Sequence, residues 1–181
     1  MGWTFQAKPR DVKADLDGQF TGKLRVLDSA IVAAREYYAA VEVVDGDKRE
    51  VFAAVFMLQF VPKAHDGMTF GYKDMDETMG PRIARCPERI LDLLTPTDSE
   101  YAKVWRQRCR DYHAARKACP KLQPGMRLRV TNDSVPTIGG VPVREVRVVV
   151  AGRTPRFWVD GYGLPFRWPS WRQYKFEMVG A

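Results

Sequence analysis

Arg153, Arg156, Arg167, Arg172 and Lys175 lie in one stretch of the chain, interleaved with Phe157, Trp158, Tyr162, Phe166, Trp168, Trp171 and Tyr174. Guanidinium groups fork onto phosphate oxygens, and an exposed aromatic ring stacks on a nucleobase. The same rings are what a module of about sixty residues needs for its core. Most of the aromatics are therefore assigned to packing and the arginines to a polyanionic ligand, duplex or single-stranded. Arg127 and Arg129 join them, because they alternate with Met126, Leu128 and Val130 and so face away from an apolar side. A further basic set, Lys103, Arg106, Arg110, His113 and Lys117, recurs at helical spacing with little acid nearby apart from Asp111. An ordinary solvated helix face and a phosphate-contacting one both fit that pattern.

The acidic turn Tyr72-Lys73-Asp74-Met75-Asp76-Glu77 offers different chemistry. Clustered carboxylates can hold a magnesium ion, as in a metal-dependent nuclease. No matching acidic or histidine partner is identifiable elsewhere, so Tyr72, Asp74, Asp76 and Glu77 are expected to meet a protein partner or to tie down a helix cap. Cys109 and His113 stand one helical turn apart, and Cys86 and Cys119 could complete a Cys3His zinc set. The spacing is not that of a ribbon or finger, and buried thiols are the commoner outcome. His65 has no detectable nucleophile partner. Gly-x-Ser-x-Gly, P-loop and dinucleotide-binding glycine patterns are absent from the sequence. No catalytic residue, metal or cofactor is assigned.

The formal charge of +7 is unevenly spread. Residues 1–100 carry 13 Lys and Arg against 17 Asp and Glu, whereas residues 101–181 carry 16 against 5. A positive field of that size draws polyanions over about a Debye length, roughly 8 Å at physiological salt. No apolar run approaches the roughly 18 residues that would cross a bilayer, and Met1-Gly2-Trp3-Thr4 lacks the pattern of a secretory signal. A cytoplasmic protein with reduced thiols and no membrane partner is expected.

The elements that would position these groups are legible as periodicities. A helix is expected over residues 9–20, closed by Gly22, then apolar runs at Leu24–Val32, Tyr37–Val44 and Val51–Phe60, with Asp45-Gly46-Asp47 as a hairpin turn. Val51–Phe56 is nearly continuously apolar, as in a strand covered on both faces. Residues 61–86 read as a long loop, followed by a short helix over Pro87–Leu94. A capping box of Thr97 and Glu100 then opens a helix to Ala118, with Tyr101, Val104, Trp105, Cys109 and Tyr112 as its apolar stripe. Short strands follow at Met126–Thr131, Val143–Ala151, Arg156–Asp160 and Gln173–Met178, where Tyr174, Phe176 and Met178 alternate with polar residues. The expectation is an α+β chain: residues 1–121 form a small antiparallel sheet packed by helices, and residues 122–181 an SH3-like β-barrel module.

Several segments also look familiar together: Met1-Gly2-Trp3-Thr4, Gly71-Tyr72-Lys73-Asp74-Met75-Asp76-Glu77-Thr78-Met79-Gly80-Pro81, Cys86-Pro87, Ile90-Leu91-Asp92-Leu93-Leu94-Thr95-Pro96-Thr97-Asp98, and Trp105-Arg106 with Cys109. They resemble a family of uncharacterised proteins carried by phages, plasmids and integrative elements, which includes Cas9-inhibiting anti-CRISPR proteins of type II-A systems. The likeness covers residues 1–110 and is most specific in its central motif. Relatives often carry a cysteine just after the Gly-Pro pair, where this chain has Arg82. The resemblance implies a mobile-element anti-defence protein in the bacterial cytoplasm that binds a guide-loaded Cas9-type ribonucleoprotein stoichiometrically. On that expectation Tyr72, Asp74, Asp76 and Glu77 meet the effector's basic channel. The basic half meets nucleic acid, with DNA ahead of RNA. A general DNA- or RNA-binding accessory protein and a metal-dependent nuclease are the alternatives.

Overall fold

The three long apolar runs are strands, and in the second and third both sides are buried, so that alternate residues belong to different cores. This computed structural model describes residues 2–45, 48–61, 66–132, 137–138, 141–152, 154–168 and 171–179. His65, Arg153 and the turn residues Gly46 and Asp47 lie outside them. The chain divides into two units, Met1–Asp111 and Tyr112–Ala181.

The first unit contains β1 (Thr4–Gln6), α1 (Val12–Asp17), β2 (Leu24–Val32), β3 (Glu36–Asp45), β4 (Lys48–Phe60), β5 (Phe70–Asp76), α2 (Glu88–Leu91) and most of α3 (Glu100–Ala118). The strands form one antiparallel sheet in the order β1-β5-β4-β3-β2. On one face Tyr37, Ala39 and Val41 of β3 and Ala54, Phe56 and Leu58 of β4 pack with Leu16 of α1. On the other, Tyr38, Ala40, Val51, Ala53 and Val55 meet Ile90 and Leu91 of α2 and Trp105 and Cys109 of α3. Fully burying each of the large side chains contributes on the order of 2 kcal/mol. Burial also pushes the Cys86 and Cys109 thiols up, Cys109 to about 11.

The local signals shift several boundaries. The first helix is shorter than residues 9–20, because the Asp11 carboxylate caps it by accepting from the Ala14 amide at 3.1 Å and Gly18 ends it. Asp17, at its last turn, accepts from Ser29 Oγ at 2.6 Å and Tyr37 Oη at 2.7 Å, docking the helix on the sheet. Burial acts to raise the Asp17 pKa, but its bonds with Lys13, Ser29 and Tyr37 outweigh burial and hold the carboxyl below its ordinary value. The short helix ends at Leu91 rather than Leu94. Thr97 and Glu100 do not form a capping box: Ser99 Oγ accepts from the Ala102 amide at 3.4 Å, and the Glu100 carboxylate turns to Lys103. Nor is the apolar stripe of α3 the expected one, since Tyr101 and Val104 are 71% and 57% exposed and the buried residues are Ala102, Trp105, Arg106 and Cys109.

The expected loop over residues 61–86 holds strand β5 and a 3-10 turn over Glu77–Met79. Gly71 belongs in that strand because Phe5 of β1 crosses it, leaving a Cβ only 2.6 Å from the ring. The turn ends on Gly80 at φ 60°, a left-handed conformation suited to glycine, beside the Tyr101 ring. Between them Glu77 turns inward. Its carboxylate takes a two-pronged ion pair from Arg106 at 2.6 and 2.7 Å and accepts from the Ala53 amide of β4 at 3.1 Å. Arg106 also donates to the Thr95 carbonyl at 2.6 Å. Trp105 Nε1 donates to the Ile83 carbonyl at 2.7 Å, and Arg108 donates to those of Pro81 and Arg82. Helix α3 thus holds the whole 77–95 segment against the sheet.

The second unit contains β6 (Arg127–Val130), β7 (Thr137–Ile138), β8 (Val141–Pro142), β9 (Glu145–Val150), β10 (Arg156–Trp158), β11 (Phe166–Arg167), a 3-10 turn over Trp171–Gln173 and β12 (Phe176–Val179). Five of its strands form an open antiparallel sheet in the order β11-β10-β9-β6-β12, and β7 and β8 pair separately. Leu128, Val130, Val143, Val146, Val148, Phe157, Trp168 and Trp171 fill its core. Met178, although it alternates with polar residues, is exposed on the edge strand β12. Among the described residues no helix is long and apolar enough to cross a membrane.

Because Glu77 and Arg106 are both buried, removing one charge strands the other. Glu77→Ala is expected to lower the unfolding free energy by about 3–5 kcal/mol in urea titrations. Glu77→Leu combined with Arg106→Met, which removes both charges, should recover most of that loss. A deficit below about 1 kcal/mol for Glu77→Ala would show the pair to be dispensable.

Candidate nucleic-acid interface

Alternation along β6, the first part of β9 and β10 gives the second sheet an apolar and a charged face, with a register shift between β9 and β10 at Arg156 and Phe157. On β6, Leu128 and Val130 point into the core while Arg127 and Arg129 point out. On β9, Val146 and Val148 point in and Glu145 and Arg147 point out. On β10, Phe157 points in and Arg156 and Trp158 point out, with Trp158 partly exposed. The register then sets like against like. Arg127 of β6 stands opposite Arg147 of β9, and Arg156 of β10 stands opposite Arg167 of β11. Arg147 is also opposite Trp158, so the ring sits between the two arginine pairs.

Directly opposed side chains on adjacent strands have Cβ atoms about 4.5–5.5 Å apart, and like charges there are destabilising. The outer face relieves this unevenly. Arg129 bonds to Glu145 at 2.9 Å and to Glu177 at 3.0 Å, which raises its pKa further. Arg127 reaches Asp160 at 3.6 Å. Arg147, Arg156 and Arg167 have no acidic partner among the described residues. A depression of about 290 Å³ opens beside Arg127, Arg147 and Trp158, with Gly125, Glu145 and Asp160 completing its rim.

The other expected site residues lie elsewhere in the chain. Arg172 lies over the Trp171 ring at 4.7 Å, and its carbonyl accepts from the Cys119 thiol at 3.5 Å. Lys175 is exposed and is held through its backbone, whose amide donates to the Asn132 side chain. Lys103, Arg110 and Lys117 are exposed on α3, Lys103 paired with Glu100 at 2.8 Å. Arg153 lies outside the described residues.

Two expectations are corrected by burial. Arg106 does not face nucleic acid and Glu77 does not face a partner, because each charge is spent on the other inside the first unit. Tyr72 stacks on Phe56 with ring centroids 5.6 Å apart, and Asp76 accepts from the Thr78 amide at 2.7 Å to cap its turn. Asp74 is the carboxylate of the motif that stays exposed on β5. Among the described residues no group of three or more His, Cys, Asp or Glu side chains could hold a metal ion.

Arg147 was not among the expected site residues, and Trp158 was named in its aromatic stretch without being singled out from the rings assigned to packing. The alternation of Arg147 with Val146 and Val148 marks it as outward, but its pairing with Arg127 depends on a strand register that no local pattern reveals. A family model described as a domain of unknown function (DUF6927) matches residues 96–171, a stretch that includes α3 and β6 to β11 and is less than half of the chain. No curated protein and no solved structure matches.

If the opposed arginines are a cost borne by the unliganded fold, diluting one pair should stabilise it. Arg147→Gln is expected to raise the unfolding free energy by about 0.2–1 kcal/mol at low salt, with the gain shrinking as salt is added. A loss of stability would mean that Arg147 is held by favourable interactions instead.

Proposed function

We propose that this chain is a nucleic-acid-binding protein that acts by occupation rather than turnover, with the outer face of its second sheet as the contact. The observation that carries this reading is the placement of two directly opposed arginine pairs on one solvent face. A phosphate backbone laid across them replaces mutual repulsion with attraction on both sides. Each phosphate neutralised also releases condensed counterions, the main source of sequence-independent affinity. The strand order, with the last strand returning beside the first after a 3-10 turn, supports reading this unit as an SH3-like module.

The resemblance of residues 1–110 extends this reading to anti-defence action in a bacterial host. It nominates a guide-loaded Cas9-type effector, in which a basic channel and nucleic acid are both presented. In that setting Asp74 is the motif carboxylate best placed to meet the channel, and the arginine face meets the nucleic acid. A general DNA- or RNA-binding accessory protein is the second reading, because nothing about the arginine face requires an effector. The nuclease alternative draws no support from the acidic turn, where Glu77 is engaged by Arg106 and Asp76 caps the 3-10 turn.

The test is salt-dependent binding of a labelled oligonucleotide to the full chain, followed by fluorescence anisotropy. Arg127→Glu combined with Arg147→Glu is expected to weaken binding at least about tenfold and to reduce the slope of log K against log salt by about 2. Unchanged affinity and slope in a variant that still unfolds cooperatively would refute the assignment of this face.

A further inference from the structure

We infer that this face takes single-stranded rather than duplex nucleic acid, with a base stacked on Trp158 and the flanking phosphates on the arginine pairs, an inference that rests on the nucleic-acid reading above. Trp158 is what separates the two ligands. It belongs neither to the buried cluster of the second unit, which Phe157, Trp168 and Trp171 fill, nor to any ring pair among the described residues. It is partly exposed on the polar face of its strand, where it lines the depression with Arg127 and Arg147.

Its neighbours fit a stacked base. Strand spacing and rise put Arg147 about 5 Å across the sheet from Trp158, and Arg156 about 7 Å along its own strand. Val149 and Val150 are both exposed on β9, Val150 opposite Arg156, and extend apolar surface beside the ring. Cations thus stand on neighbouring positions of the ring's own strand and the adjacent one, so that a bound strand could place its backbone on charge and its base on the ring. Of the acids on the same face, Glu145 and Glu177 pair with Arg129 and Asp160 reaches Arg127, while Glu145 and Asp160 also line the depression beside Trp158 and Arg147. Arg156 and Arg167, opposed on β10 and β11, have no acidic partner among the described residues.

A duplex could use the arginines but not the ring. Its bases are stacked and paired inside, and a sheet face meets sugar and phosphate before any base plane. Unpaired bases can be splayed onto an aromatic side chain. DNA and RNA single strands both offer the bases and phosphates that this contact would use.

The experiment compares, over the same series of salt concentrations, binding of the full chain to an oligothymidylate of about 20 nucleotides and to a hairpin duplex of similar charge. The single strand is expected to bind more tightly. Trp158→Ala should lower its affinity about tenfold, while duplex affinity and both salt slopes stay unchanged and Trp158→Phe retains most of the binding. If both variants bind the single strand as the unsubstituted chain does, or if Trp158→Ala weakens both ligands equally, the stacking inference fails and the arginine face stands. If neither ligand binds, the nucleic-acid reading fails with it.

Discussion

The buried ion pair of Glu77 and Arg106 is the constraint on which the first unit turns. It lies where four pieces of chain meet: the end of β5, the 3-10 turn, the backbone of β4 at Ala53, and α3. A carboxylate and a guanidinium removed from water must find each other, so Glu77 can be buried only if α3 lies across the sheet with Arg106 facing inward. The same placement delivers Trp105 to the Ile83 carbonyl and Arg108 to the carbonyls of Pro81 and Arg82. Gly71 and Gly80 serve this geometry from either side, one under the Phe5 ring and the other in a left-handed turn beside Tyr101. The central motif of the chain therefore reads first as architecture, with Asp74 as its surface-facing acid.

The second unit rests on the opposite principle. Its core is satisfied by alternating valines and leucines with three large aromatics, while its outer face keeps like charges in register. Where the fold needed neutralisation it has it, as Arg129 between Glu145 and Glu177 shows. Arg147, Arg156 and Arg167, which have no acidic partner among the described residues, lie around Trp158, and the proposed contact rests on that arrangement.

Much of this was legible in the sequence wherever side-chain period matched a long element. The strands Leu24–Val32, Glu36–Asp45 and Lys48–Phe60 and the helix to Ala118 follow from their patterns, as does the outward direction of Arg127 and Arg129. What escaped was set by partners distant in sequence. Strand β5 is disguised by Gly71, Asp74 and Asp76, residues that disfavour strands unless a crossing ring and a capping turn call for them. Strand β1 is three residues long and has no period to read. Arg106 shares the helical spacing of its basic neighbours, and only the carboxylate 29 residues earlier distinguishes it. Arg147 and Trp158 became site residues through register, which alternation alone does not determine.

The most direct test of the account is to follow the backbone amide resonances of the full chain by NMR while titrating a short single-stranded oligonucleotide. The account predicts that shifts concentrate on β6, β9, β10 and β11, with the side-chain indole of Trp158 moving most, while β5 and the turn at Glu77–Met79 stay in place. Shifts centred on residues 72–77 or on α3, with the second sheet silent, would contradict it.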